Sequence, residues 1–323
     1  MELIVILDGT WQSYNIHQFA SYLSETLDVS FYGSKVGFID GESGAWLTNV
    51  TSDLLELHKD LSAKTAWPAR LSLTRCLHTI IGYYQEDDDT DPRPYGSVVL
   101  IMGQTTTLGD VDMVESLESL YSLRRIRPEV KFIFVADEGF KRLKRRGDVI
   151  LQPQKSISDV LATIRNELLG HPAGIINFFG NRSSNEFEDY LTPGRKKYYQ
   201  IRGEYLVAAS VSVKFKGNGY GDVSICAYDE KSVVDRTCKG ITVNSEVTFN
   251  IKDHCSGEPP CTVRFEAFST DSSFKCAELD CRYPDQVRVN IFTSWSGGRR
   301  DSAKFAIIVT FWWLASLHQL TYT

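Results

Sequence analysis

The chain has 323 residues, enough for about two domains of ordinary size. A formal net charge of -6 gives no footing for a nucleic-acid or acidic-membrane partner. Hydrophobic residues make up 42%, which excludes a disordered chain and leaves a globular one.

Residues 1–170 alternate strand and helix signals. Residues 3–7 are an apolar run of strand length. Ile16, Phe19, Ala20, Leu23 and Leu27 then recur on one helical face. Residues 36–39 return as a strand, and Asp53 stands as the cap of a helix carrying Leu54, Leu55, Leu57 and Leu61. Residues 71–84 form a helix whose buried side holds Leu73, Leu77, Ile80, Ile81 and Tyr84. The acidic stretch "QEDDDTDPRPYG" is an exposed loop, and "SVVLIMG" is a strand buried on both faces. A helix over 111–122, the strand "VKFIFVA" and the helix "SISDVLATIRNELL" complete the unit. This alternation predicts an α/β fold, with a doubly wound, mainly parallel, Rossmann-like sheet. In such sheets ligands gather beyond the carboxyl ends of the strands. Asp8, Gln104 and Asp137 stand at those ends.

Residues 171–196, with Pro172, Pro193 and Gly194, are expected to be a linker. From 197 the period changes to two. "EYLVAASVSVKF", "DVSICAYD", "SEVTFNIK", "CTVRFEAFS" and "QVRVNIFTS" predict a β-sandwich over 197–294. Cys226, Cys238, Cys255, Cys261, Cys276 and Cys281 all fall there, while Cys76 stands apart. Their spacings lack the paired C-x2-C knuckles of structural zinc sites, so they are expected as disulfides, which imply an oxidising compartment. The tripeptides at Asn49 and Asn181 fit the N-glycosylation pattern and agree with export.

The tail, 295–323, carries an uncharged run over 305–317, shorter than the about 20 residues that a membrane span needs. Small residues at 296–298 and a polar spacer precede it, the order of a lipid-anchor signal with Ser296 as attachment residue. A short membrane span and a last core strand are the alternatives for this tail. No secretory leader precedes the first strand, so an extracellular, membrane-attached protein is expected to have a further N-terminal segment.

"IVILDGTWQS" raises two kinds of chemistry. Phosphatases of the haloacid dehalogenase type carry D-x-D-G-T after the first strand, with the first aspartate as nucleophile. Ile6 occupies that position here, and an isoleucine cannot attack phosphorus. Residues 1–170 instead resemble a von Willebrand factor type A domain, in strand order, in "IVILDGTWQS" opening the unit, and in the later "SVVLIMG" and "KFIFVADEG" strands. The family's metal-ion-dependent adhesion site uses D-x-S-x-S on the first loop, a threonine on a second loop and an aspartate after the central strand. The resemblance assigns Asp8 and Thr10 to the first positions. Gln12 replaces the second serine, Thr65 stands for the second loop, and Gly103 or Gln104 meets the place of the aspartate. A hard cation such as magnesium needs oxygen donors with a sufficient anionic share. The implied site is therefore degenerate, and no cofactor is expected, with a weakly held magnesium ion as the alternative.

His17, His58 and His78 have no partner at metal or triad spacing. "FKRLKRRGD" is a basic cluster ending in the integrin-recognition tripeptide Arg146-Gly147-Asp148, expected here as a solvated turn. The resulting expectation is a non-enzymatic extracellular or cell-surface binding and adhesion protein that recognises protein ligands through the type A-like unit. Two other classes stay open. One is a hydrolase using Asp8 with Asp137 or Glu138, and the other is a carbohydrate-binding protein using the sandwich.

Overall fold

The computed structural model describes residues 1–8, 13–30, 33–63, 70–86, 96–103, 108–127, 129–145, 147–152, 157–176, 184–202, 210–217, 221–242, 244–255, 261–269 and 287–296. The first unit begins with β1 (Glu2–Leu7), α1 (Ser13–Leu27), β2 (Lys35–Asp40), β3 (Trp46–Thr51), α2 (Leu54–Ala63) and α3 (Leu73–Glu86). It continues with β4 (Ser97–Gly103), α4 (Asp110–Ile126), β5 (Lys131–Ala136), β6 (Val149–Leu151) and α5 (Ile157–Leu169).

These strands form one six-stranded sheet in the order β3-β2-β1-β4-β5-β6. All neighbours run parallel except β2 and β3, which pair antiparallel at the edge. β1 and β4 are buried at every position because helices cover both faces. Leu3, Val5 and Leu7 point into a core closed by α1, α2 and α5. Ile4 and Ile6 point into the opposite core, closed by α3 and α4. Each such side chain contributes about 1.5–3 kcal/mol by leaving water. The expected mainly parallel sheet flanked by helices is therefore present. β3 and the short β6 had no distinct sequence signal.

The remaining strands are β7 (Gly174–Ile176), β8 (Ser184–Leu191), β9 (Lys196–Arg202), β10 (Ser210–Gly217), β11 (Val223–Asp229), β12 (Ser232–Ile241), β13 (Glu246–Asn250), β14 (Thr262–Phe268) and β15 (Val287–Ser296). They form a four-stranded sheet, β13-β10-β15-β8, and a five-stranded sheet, β12-β11-β14-β9-β7. One core lies between them, where Tyr199, Phe215, Phe249 and Phe265 meet. Phe215 and Phe265 have ring centroids 5.2 Å apart, within the range of favourable aromatic pairs.

Residues 171–196 are not simply a linker, because they supply β7 and β8. β8 is rich in acidic and polar residues yet pairs along its whole length with β15. It lies at a sheet edge, as does the polar β12, and edge strands carry charges that block further pairing. That polarity hid both from a search for apolar alternation.

Cys226 and Cys238 face each other on β11 and β12 and form one disulfide. Cys255 and Cys261 form a second. Cys276 and Cys281 lie outside the described residues. Disulfides persist in oxidising compartments, so these two bridges fit a secreted or extracellular chain. Among the described residues no helix is long and apolar enough to cross a membrane. Ser296 is the last residue of β15, and the tail beyond it lies outside the described residues.

Candidate functional site

The chain runs from β1 to β2 on one side and later returns to β4 on the other, so the order reverses between β1 and β4. Ligand crevices in open α/β sheets form at the carboxyl ends of strands flanking such a reversal. Asp8 sits there. It is fully buried, and its backbone N–H donates to the Met102 carbonyl of β4 at 3.3 Å. On the other side, the Gly41 N–H donates to the Leu7 carbonyl at 2.9 Å. A β-carbon at Gly41 would run into that same carbonyl oxygen, so the close approach requires glycine.

The turn after β2 is held by Asp40, whose Oδ1 accepts from the Glu42 and Ser43 N–H groups at 2.9 Å each. Arg70 lies 3.6 Å from the Glu42 carboxylate. The Ser72 N–H donates to the Gly41 carbonyl at 2.7 Å, which ties the start of α3 to the same edge. A helix N-terminus there would ordinarily offer free N–H donors to an anion. Here Asp112 of α4 already occupies them, accepting from the Leu73 N–H at 3.2 Å and the Thr74 N–H at 3.3 Å. The Thr74 hydroxyl donates to the same carboxylate at 2.7 Å. Cys76 lies just beneath, and burial, then the charges of Asp40 and Asp112, push its thiol well above the ordinary value. It is an inert core group.

Of the five residues assigned to a metal site, Asp8 alone is described; Thr10, Gln12, Thr65 and Gln104 lie outside the described residues. Asp8 supplies the one carboxylate of that set, and the other four side chains are neutral oxygen donors. Among the described residues no cluster of three or more histidine, cysteine, aspartate or glutamate side chains could hold a metal. Asp137 and Glu138 are engaged elsewhere. Asp137 Oδ1 accepts from the Gly139 N–H at 2.8 Å, capping the short 3-10 helix Glu138–Leu143. Glu138 is exposed and pairs with Lys141 at 2.7 Å. β4 separates Asp8 from the strand that bears Asp137, so their backbones stand about 10 Å apart across two strand spacings.

Within the basic stretch Lys141, Arg142 and Lys144 are exposed, and Lys141 pairs with Glu138. Phe140 and Leu143 are core residues, and Arg145 donates to the Val130 carbonyl at 3.0 Å. Asp148 is not in a solvated turn: it is 4% exposed. It accepts from Arg124 at 2.6 Å, from the Phe132 N–H at 3.1 Å and from the Arg145 N–H at 2.9 Å. Its carboxylate is used up inside the fold and is not available to a partner. A solvent-open cavity of about 280 Å³ lies by the edge strand, lined by Trp46, Leu47, Asn49, Asp60 and Ala63. Asn49 is exposed beside it, whereas Asn181 lies outside the described residues.

Asp40 and Asp112 were not singled out in the sequence. The turn "DGES" is a readable signal for Asp40. Asp112 had none, since its N–H partners lie 38 and 39 residues away.

No family model matches the chain. No curated protein matches it. Among solved structures it is similar to the SpRpn10 VWA domain, at 7% identity and a TM-score of 0.35, over 54% of this chain and 96% of that one. It is also similar to PliG of Aeromonas hydrophila, a periplasmic inhibitor of g-type lysozyme, at 10% identity and a TM-score of 0.25, over 38% and 94% of the two chains. Yersinia pseudotuberculosis-derived mitogen gives 6% identity and a TM-score of 0.22, over 37% and 91%. Scores this low carry no argument about function.

Proposed function

We propose that the chain is a non-enzymatic, extracellular binding protein whose type A-like α/β unit takes a protein ligand at the carboxyl edge of its sheet. The observation that carries this reading is Asp8, buried at the reversal of strand order, with the turn after β2 and the start of α3 pinned beside it. Among the described residues of this edge Ser43 and Glu138 are exposed polar groups, on loops positioned by the sheet as recognition residues often are. The binding is read as metal-independent, since a donor set with one carboxylate offers a hard cation less charge than one with two. A calorimetric titration with magnesium is expected to give no heat at millimolar ion, and saturable heat would contradict this.

The hydrolase alternative lacks support from geometry, since Asp137 and Glu138 are engaged in a cap and an exposed ion pair. A phosphoesterase activity lost in Asp8→Asn with the fold intact would overturn the binding reading. The direct test is a screen of the full chain against secreted and cell-surface proteins. Ser43→Arg and Glu138→Arg, at the carboxyl edge, are expected to abolish a specific interaction. Glu25→Arg, near the end of α1 at the opposite edge, is expected to leave it unchanged. The reverse pattern would place the surface elsewhere.

A further inference from the structure

α4 has two different faces. Met113, Ser116, Leu120 and Leu123 are buried against the sheet and α3. The outer face carries Val111 at 72% exposure, Val114 at 52% and Tyr121 at 73%. Contiguous exposed apolar surface can mark an interaction site, and these three side chains share one face of the helix. Glu118 and Arg125 lie on that same row, by the helical spacing 111, 114, 118, 121, 125. Neither makes an ion pair among the described residues. The acidic first turn and basic last turn of α4 favour the helix dipole, but Glu118 is mid-helix and gains nothing from it.

We infer that α4 is a homodimer contact, packing antiparallel against α4 of a second copy about a two-fold axis beside Tyr121. The charge order selects this occupant. An axis near Tyr121 has Glu118 about one turn to one side and Arg125 about one turn to the other. Antiparallel pairing therefore sets each Glu118 against the other copy's Arg125, two pairs from one symmetry operation. The two Tyr121 rings meet at the axis, where they bury the largest apolar area. Each Val114 reaches toward the Ile126 end of the other helix. Parallel pairing would instead place like charges together. The 17 residues of α4 span about 25 Å, so the contact is at the small end of specific interfaces and the dimer is a weak one.

The test is sedimentation velocity on the full chain over a range of concentrations. A reversible monomer–dimer equilibrium is expected. Tyr121→Ala and Glu118→Arg should each weaken it by at least about tenfold, since one removes the central ring and the other sets like charges opposite. The double variant Glu118→Arg/Arg125→Glu should restore the dimer. All these side chains are exposed, and far-ultraviolet circular dichroism should confirm an unchanged fold. A chain that stays monomeric, whatever else of its own covers α4, overturns the inference. So does a dimer indifferent to Tyr121→Ala, or a double variant that fails to recover.

Discussion

The α/β unit and the sandwich hold their cores by different means. In the first, β1 and β4 are apolar on both sides, and helices on each face remove them from water. The one free cysteine among the described residues, Cys76, is a core thiol of this unit. In the sandwich one core serves two sheets and takes in the Cys255–Cys261 disulfide, while the Cys226–Cys238 disulfide bridges β11 and β12. Glu266 of the sandwich is buried on β14 between Arg236 at 2.6 Å and Lys196 at 2.9 Å. Burial pushes its carboxyl up, but hydrogen bonds from Lys196 and Arg236, with their charges, outweigh that and hold it below the usual carboxylate value. Both units hold a buried carboxylate in an ion pair, Asp148 with Arg124 in the first and Glu266 with Arg236 and Lys196 in the second, so among the described residues it is the disulfides that set the sandwich apart.

The comparison can be broken most severely at the cores. Phe134→Ala in the α/β unit and Phe215→Ala in the sandwich should each cost about 3–5 kcal/mol in denaturant unfolding. A loss below about 1 kcal/mol at either site would mean that its core is looser than described. Oxidation is the next lever. Cys226→Ser/Cys238→Ser opens a bridge between residues 12 apart and should cost about 3 kcal/mol. Hydrogen exchange should then accelerate in β11 and β12 and leave β1 and β4 unchanged; faster exchange in both units would remove the distinction.

A smaller effect tests the caps of the α/β unit. Asp112→Ala strips the first turn of α3 of its acceptor and should cost about 1 kcal/mol, a typical cap loss. An unchanged midpoint would show that solvent replaces the carboxylate. Titration probes the sandwich. Because the folded Glu266 carboxyl is held below its unfolded value, its contribution is complete above the unfolded value. That contribution is lost as pH falls through the folded value. Glu266→Gln should flatten this acid limb of stability, and an unaltered limb would exclude the pair as its cause. Last, Asn49 is exposed on the edge strand β3, and secretion from a eukaryotic host should add a glycan there without changing stability. An unmodified peptide containing Asn49 would contradict that expectation.

The parts of the fold that were readable before the structure are those with a strong local period. The apolar run of β4 and the helical face of α1 needed no tertiary information. β8 and β12 escaped because an edge strand is selected to be polar, and polarity erases the alternation that reveals a strand. At the candidate site, Asp8 was legible from its place after an apolar run. Asp112 was not, because a cap supplied from another helix leaves no mark at the helix it caps. The R-G-D tripeptide misled in the opposite direction. It was expected as a solvated turn, yet the Asp148 carboxylate is consumed by Arg124 and two backbone N–H groups.

The central claim is that ligand binding takes place at the carboxyl edge of the α/β sheet and not on the sandwich. Hydrogen exchange of the full chain, with and without a partner captured from the secreted and cell-surface proteins, tests it most directly. The account predicts slowed exchange at Glu42, Ser43 and Ala45 after β2, at Arg70, and at Glu138 and Gly139 after β5, with β11, β14 and β9 unchanged. Protection confined to the outer face of the five-stranded sheet would contradict it and move the function to the sandwich.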